Sequence, residues 1–192
     1  MFQLFKSLIL ASNSPRRKQL LYETGFDFVV EVIPTDESFP ENMPTSEVAA
    51  YIATQKAEVF RGLHPDKLIL TADTVVIIGD TILNKPKDFQ EAFNMLSMLS
   101  GTTHEVVTAV SLLADDSIYT VSDTAKVTFR TLEKREINHY IERYKPFDKA
   151  GGYGIQEWIG MIGIECIEGS YYTIMGLPVH IVYQLLKPFM EI

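Results

Sequence analysis

The stretch Leu8-Ile9-Leu10-Ala11-Ser12-Asn13-Ser14-Pro15-Arg16-Arg17-Lys18 reads as a short buried strand running directly into a helix. Leu8, Ile9 and Leu10 supply the strand. The Ser14 hydroxyl suits an N-cap, and Pro15 suits the first helical position, where a missing N–H removes no intrahelical bond. The helix continues through Gln19, Leu20 and Leu21. Strands and helices go on alternating after this step, and strands then cluster in the middle of the chain. That order predicts an α/β protein with a mixed sheet in preference to a purely doubly wound one.

Outward from this unit the punctuation is clear. Residues 34–44 form a loop with three prolines and three acidic residues. Thr45 or Ser46 is placed to cap a helix carrying Val48, Ala49, Ile52, Ala53 and Val59. Residues 68–78 are a dense apolar run read as a central strand, and Gly79-Asp80 is a two-residue hairpin signal. Asp88 and Glu91 have capping-box spacing for a helix with Phe89, Ala92, Phe93 and Leu96 on one face. Two β-rich stretches, 106–113 and 118–129, read as an antiparallel pair joined by Asp115-Asp116-Ser117. Thr131 is expected to start a helix with Ile137, Tyr140, Ile141 and Tyr144 at helical spacing. Residues 148–156 read as a glycine-rich turn entering a strand, and residues 177–189 as a final amphipathic helix.

Composition narrows the function. A 192-residue chain with 46% hydrophobic residues is long enough for one large domain, or two lobes sharing a sheet. The net charge of −8 argues against general affinity for nucleic acid or anionic membranes. An anionic ligand would therefore need a local cluster of positive charge, with a divalent cation's help. No apolar run approaches a membrane span and the start lacks a secretory pattern, so a cytoplasmic location is the default. The single cysteine, Cys166, sits in the apolar run 162–167 and is expected to be a buried structural thiol. His64, His104, His139 and His180 show no metal-ligand spacing and are assigned structural or surface roles.

Several places could carry chemistry. At the start of the first helix, free backbone N–H groups, two serine hydroxyls and three cationic side chains would converge where the helix dipole favours an anion. A capped helix with a solvated basic face weighs equally against this, and no GxxxxGK[ST] or GxGxxG loop occurs. Asp73, inside the central strand, is costly to bury unless it is paired or binds a metal. Val75 at the partner position argues against the aspartyl-phosphate mechanism of DxD phosphatases. Lys56 falls near the apolar face of its helix, with snorkelling as its ordinary explanation. Asp36 and Glu37 are expected to be solvated, and Lys85-Pro86-Lys87 reads equally as a basic turn. Gly151, Gly152 and Gly154 permit a tight turn or close approach to a ligand.

Taken in order, residues 10–17, Lys56-Ala57, Ala72-Asp73-Thr74-Val75-Val76, Lys85-Pro86, Ser100-Gly101 with His104, and Lys149-Ala150-Gly151-Gly152-Tyr153-Gly154-Ile155-Gln156 resemble the Maf family of nucleoside triphosphate pyrophosphatases over nearly the whole chain. The resemblance implies a central mixed twisted sheet flanked by helices, with two lobes around a cleft as in the inosine triphosphatases, and residues 1–192 as a single domain. It implies hydrolysis of dTTP and UTP, and of modified pyrimidine triphosphates, to the monophosphate and pyrophosphate. Asp73 matches the family's proton acceptor, with Lys56 and Lys85 as catalytic partners. Ser12, Arg16, Arg17, Thr74 and Gln156 match substrate-binding positions, and Glu37 with Asp73 would hold a divalent cation, Mg2+ or Mn2+. Arg16, Thr74 and Gln156 look like the specificity set of the dTTP/UTP branch, since a glutamine amide can meet an imide N–H and a carbonyl together. Asn13 and Glu157-Trp158-Ile159 depart from smaller residues in many relatives. The partner implied is a nucleoside triphosphate, with no nucleic acid or membrane and with room for a homodimer. The alternatives are a nucleotide-binding regulator of septum formation without turnover and a pyrophosphatase for noncanonical purines. The catalytic reading requires the cationic turn and Asp73 to face one another across one cavity.

Overall fold

Seven strands form one mixed sheet in the computed structural model of the chain, which describes residues 2–191. β1 (Ser7–Leu10) leads through α1 (Pro15–Glu23) to β2 (Phe28–Val30), and the intervening helix lets β2 return parallel to β1. α2 (Thr45–Glu58) precedes β3 (Lys67–Ile78), which is parallel to β1 with Leu8 opposite Leu68. The Gly79-Asp80 turn then sends β4 (Thr81–Leu83) back antiparallel along β3. After α3 (Phe89–Leu99) come β5 (Thr103–Ala114) and β6 (Ser117–Phe129). The chain continues through α4 (Lys134–Tyr144), α5 (Trp158–Gly163), β7 (Ile164–Glu168), α6 (Tyr171–Met175) and α7 (Val179–Leu186). The strand order is β2-β1-β3-β5-β6-β7, with β4 beside β3.

The β5–β6 hairpin turns on Asp115 and Asp116, whose φ values of 47° and 62° are those a tight two-residue loop demands. Hydroxyl pairs Thr103–Thr128 at 2.8 Å and Ser111–Thr120 at 2.7 Å fit a single antiparallel register. β3 is buried along nearly its whole length, which explains its continuous apolar sequence. Its Thr71 hydroxyl, fully buried, is satisfied by donating to the Ala53 carbonyl at 2.7 Å.

The chain divides into two compact units. One contains the residues up to Asp73, Thr108–Asp123 and those from Gly176 onward; the other contains Thr74–Val107 and Thr124–Met175. Ile9, Ala57, Phe60, Ile69 and Leu113 pack in the core of the first unit. Leu96, Val127, Phe129, Tyr140, Tyr153 and Ile159 pack in the core of the second.

Several sequence expectations are corrected. α2 has Thr45 as its first residue and Pro44 before it, with no side-chain cap. α3 buries Ala92, Met95, Leu96 and Leu99, while Phe89 is exposed. In α3 the Asp88 side chain accepts the Glu91 N–H at 2.8 Å, but Glu91 reaches back to the Lys87 N–H instead of that of Asp88. α4 starts at Lys134 and not at Thr131, because Glu133 and Glu136 form the capping box. No strand follows the glycine-rich turn: Gly151 and Gly152 both have φ of 70°, and the chain passes instead into α5. Cys166 is exposed, because the apolar run that holds it becomes the terminal strand of the sheet.

Candidate active site

In the first unit the β1–α1 step forms as its sequence demands. Ser14 is extended and accepts the Arg17 N–H, with Pro15 at the head of the helix. Ser12, 8% exposed, accepts the Ser14 N–H at 3.2 Å and an Arg17 N–H from Nη1 at 3.4 Å. Arg17 also donates from Nη1 to the Ala72 carbonyl and from Nε to the Gly176 carbonyl, each at 2.8 Å. Its guanidinium therefore ties α1 to the residue immediately before Asp73. Burial pushes its pKa below the usual arginine value; Asp73 opposes the shift, Arg16 adds to it and Glu37 opposes it. The cationic turn and Asp73 thus act on one another.

Asp73 is 8% exposed within β3 and accepts a hydrogen bond from Lys56 Nζ at 2.7 Å. The same ammonium lies 2.7 Å from Glu37 Oε1. Lys56 is no snorkelling residue: its side chain is 17% exposed and its charge lies between two carboxylates. Glu37 is half exposed, yet it is drawn out of the solvated role expected for its loop by this ammonium. Ser12, Arg17, Glu37, Lys56 and Asp73 thus converge from the β1–α1 link, α1, the loop between β2 and α2, α2 and β3, and Arg16 acts on its neighbour Arg17.

The second unit contains the other expected residues. Thr74 is half-buried on β3, and Lys85 is exposed just after β4. The Asn84 carbonyl accepts the Gly151 N–H at 3.2 Å, which joins the Lys85 turn to the glycine-rich turn. A Cβ on Gly151 would meet Val76 Cγ1 at 3.0 Å, so glycine lets this turn lie directly on β3. Beyond it, Gln156 is half-buried, and its Oε1 is buried without a hydrogen-bond partner among the described residues.

A family profile described as Maf-like protein matches residues 7–189. The chain belongs to the Maf family. Among relatives of this Maf chain, the dTTP/UTP pyrophosphatase of Parabacteroides distasonis is 48% identical over 184 residues, 95% of each chain. The dTTP/UTP pyrophosphatase of Phocaeicola vulgatus is 47% identical over 182 residues, 94% of each chain. That of Porphyromonas gingivalis strain W83 is 48% identical over 188 residues, 96% of this chain and 94% of its own. Among solved structures, the Staphylococcus aureus Ham1 protein matches 65% of this chain and 72% of its own at a TM-score of 0.48 and 14% identity.

The donor set of the Maf chain also bears on a metal. Among the described residues no three His, Cys, Asp or Glu side chains gather as a closed metal cage. Two carboxylates, Asp73 and Glu37, do share one cation-binding position, now held by Lys56. One or two carboxylates completed by substrate oxygens and water is the arrangement that suits Mg2+ beside a phosphate, so these residues fit such an ion. One polar group in the second unit belongs to the family motifs but was given no role by the sequence. Lys149 is 7% exposed and ion-paired to Asp148 and Glu157. Its one signal was a lysine beside a run of small residues.

Proposed function

We propose that this Maf-family protein hydrolyses the α–β phosphoanhydride of dTTP and UTP, and of modified pyrimidine triphosphates, giving the monophosphate and pyrophosphate. The observation that carries the reading is a carboxylate, Asp73, buried in a central strand and held by an ammonium at 2.7 Å beside a cationic helix start. In this reading Lys56 occupies Oδ1 of Asp73, so Oδ2 takes the proton from the attacking water. Arg16, Lys56 and Lys85 offset the charge of the triphosphate, and the Ser12 hydroxyl hydrogen-bonds a phosphate oxygen. Arg17 acts chiefly by holding α1 against Ala72, and thereby fixes the approach to Asp73. Glu37 and Asp73 would hold a divalent cation, Mg2+ or Mn2+, which neutralises phosphate charge when bound. Thr74 and Gln156 contact the nucleoside, with the Gln156 amide reading the imide edge of the base. The 1–192 chain is one functional domain in this reading, and its compartment is the cytoplasm.

Purified protein given Mg2+ and dTTP should release dTMP and pyrophosphate in equal amounts, with free phosphate appearing only after inorganic pyrophosphatase is added. Chelation should stop the reaction. Asp73→Asn should lower kcat by about 10²–10⁴-fold without loss of the folded state by circular dichroism. Direct release of phosphate would overturn the reading, as would binding of dTTP without turnover or faster hydrolysis of ITP than of dTTP.

A further inference from the structure

The segment bearing Gln156 is held from both ends. The Gly154 carbonyl accepts the Glu157 N–H at 3.0 Å, closing a turn with Ile155 and Gln156 at its centre. The Gly154 N–H donates to the Tyr140 hydroxyl at 3.0 Å, and that hydroxyl donates in turn to Glu157 Oε2. Glu157 Oε1 lies 3.2 Å from Lys149 Nζ, in a pair whose side chains are 18% and 9% exposed. Asp148 gives Lys149 a second carboxylate at 2.7 Å. Burial, and then the Glu157 carboxylate, push the pKa of Tyr140 up, so its hydroxyl remains a donor at neutral pH.

Packing allows this turn no slack. A Cβ on Gly154 would lie 2.9 Å from Glu157 Cδ, and one on Gly160 only 2.0 Å from the Ile155 carbonyl oxygen. Tyr140 comes from α4, Lys149 from the preceding turn and Glu157 from the cap of α5. Three pieces of chain therefore meet on one short loop. Against this background the Gln156 amide stands out, since its Oε1 is buried with no partner among the described residues. A buried acceptor of this kind is costly unless a ligand N–H fills it.

We propose that Tyr140, Lys149 and Glu157 are positioning residues that fix the Gln156 carboxamide against the imide edge of uracil or thymine, and so set the preference for 4-oxo over 4-amino pyrimidines. This rests on the reading of Gln156 as the base contact. Uracil and thymine offer an N–H and a carbonyl where cytosine offers a bare ring nitrogen and an amino group. An amide held in one place matches only the first pattern. An amide on a loosened turn can shift and rotate to meet either.

The test compares kcat/KM for dTTP and dCTP in the wild type, Glu157→Gln, Tyr140→Phe and Gln156→Ala. Glu157→Gln keeps the shape and removes one charge; Tyr140→Phe removes the hydroxyl that binds Gly154 and Glu157. Each clamp variant should narrow the dTTP preference by about tenfold, through a higher KM for dTTP with kcat changed less than about twofold. Gln156→Ala should abolish the preference. If both clamp variants keep the wild-type ratio while Gln156→Ala loses it, the clamp is structural only and the proposal fails. If Gln156→Ala itself keeps the ratio, the base-contact reading fails first. Should Tyr140→Phe not fold, the near-isosteric Glu157→Gln decides the matter.

Discussion

His104 should make this protein lose stability in mild acid, and the size of the effect follows from its surroundings. The imidazole is 2% exposed on β5, stacked 5.7 Å from the Phe129 ring, with Nε2 2.7 Å from the Tyr153 hydroxyl. Its Nδ1 is buried without a partner among the described residues. Burial lowers its pKa from the ordinary 6.5 to about 4. Between those two values the unfolded chain takes up a proton that the folded protein refuses. The contribution to stability is therefore complete above pH 6.5, falls as pH drops through the window and is gone below about pH 4. Integrated over that window it amounts to about 3 kcal/mol. Urea unfolding of the wild type and of His104→Gln, which keeps a polar group for Tyr153, would measure it at several values from about pH 7.5 to about pH 4. Carboxylate titrations common to both proteins cancel in the difference. That difference should move by about 3 kcal/mol across the series. A change of less than about 1 kcal/mol would refute the claim that burial keeps the ring neutral.

Lys56→Met should cost about 3 kcal/mol in chemical denaturation, since it leaves the buried Asp73 carboxylate without its cation and beside Glu37. Adding Asp73→Asn to that variant should recover most of the loss, whereas strictly additive losses would show that the pair is not coupled. Cys166, exposed on the terminal strand β7, should react with a thiol reagent in the native protein at the rate of a free thiol and leave turnover unaffected. Reaction only at the rate of unfolding would contradict its placement.

Much of the site is written in short motifs. Ser14 and Pro15 specify the start of α1 through the cap and the fixed φ of proline, so the cationic turn could be read before any contact was known. Asp73 stood out because a carboxylate in an apolar run is costly to bury. The companion pairing was not legible. Read from their own residue patterns, Lys56 looked like a snorkelling side chain and Glu37 like part of a solvated loop, and only the family motifs marked them for the site; their ion pairs are organised by the approach of α2 and the loop to β3. The Tyr140–Glu157–Lys149 group was equally hidden, because its members come from a helix, a turn and a helix cap that gain meaning only once packed.

Sequence by itself determined the α/β alternation, the β1–α1 step, the hairpin turns and the ordered motifs of the Maf family, because caps, turns and periodicity act between near neighbours in the chain. The tertiary structure alone decided which charges pair, that the cysteine strand lies at the sheet's edge and that the glycine-rich turn leads into a helix. Those outcomes depend on desolvation and on contacts between distant segments, and no local pattern encodes which segment will arrive.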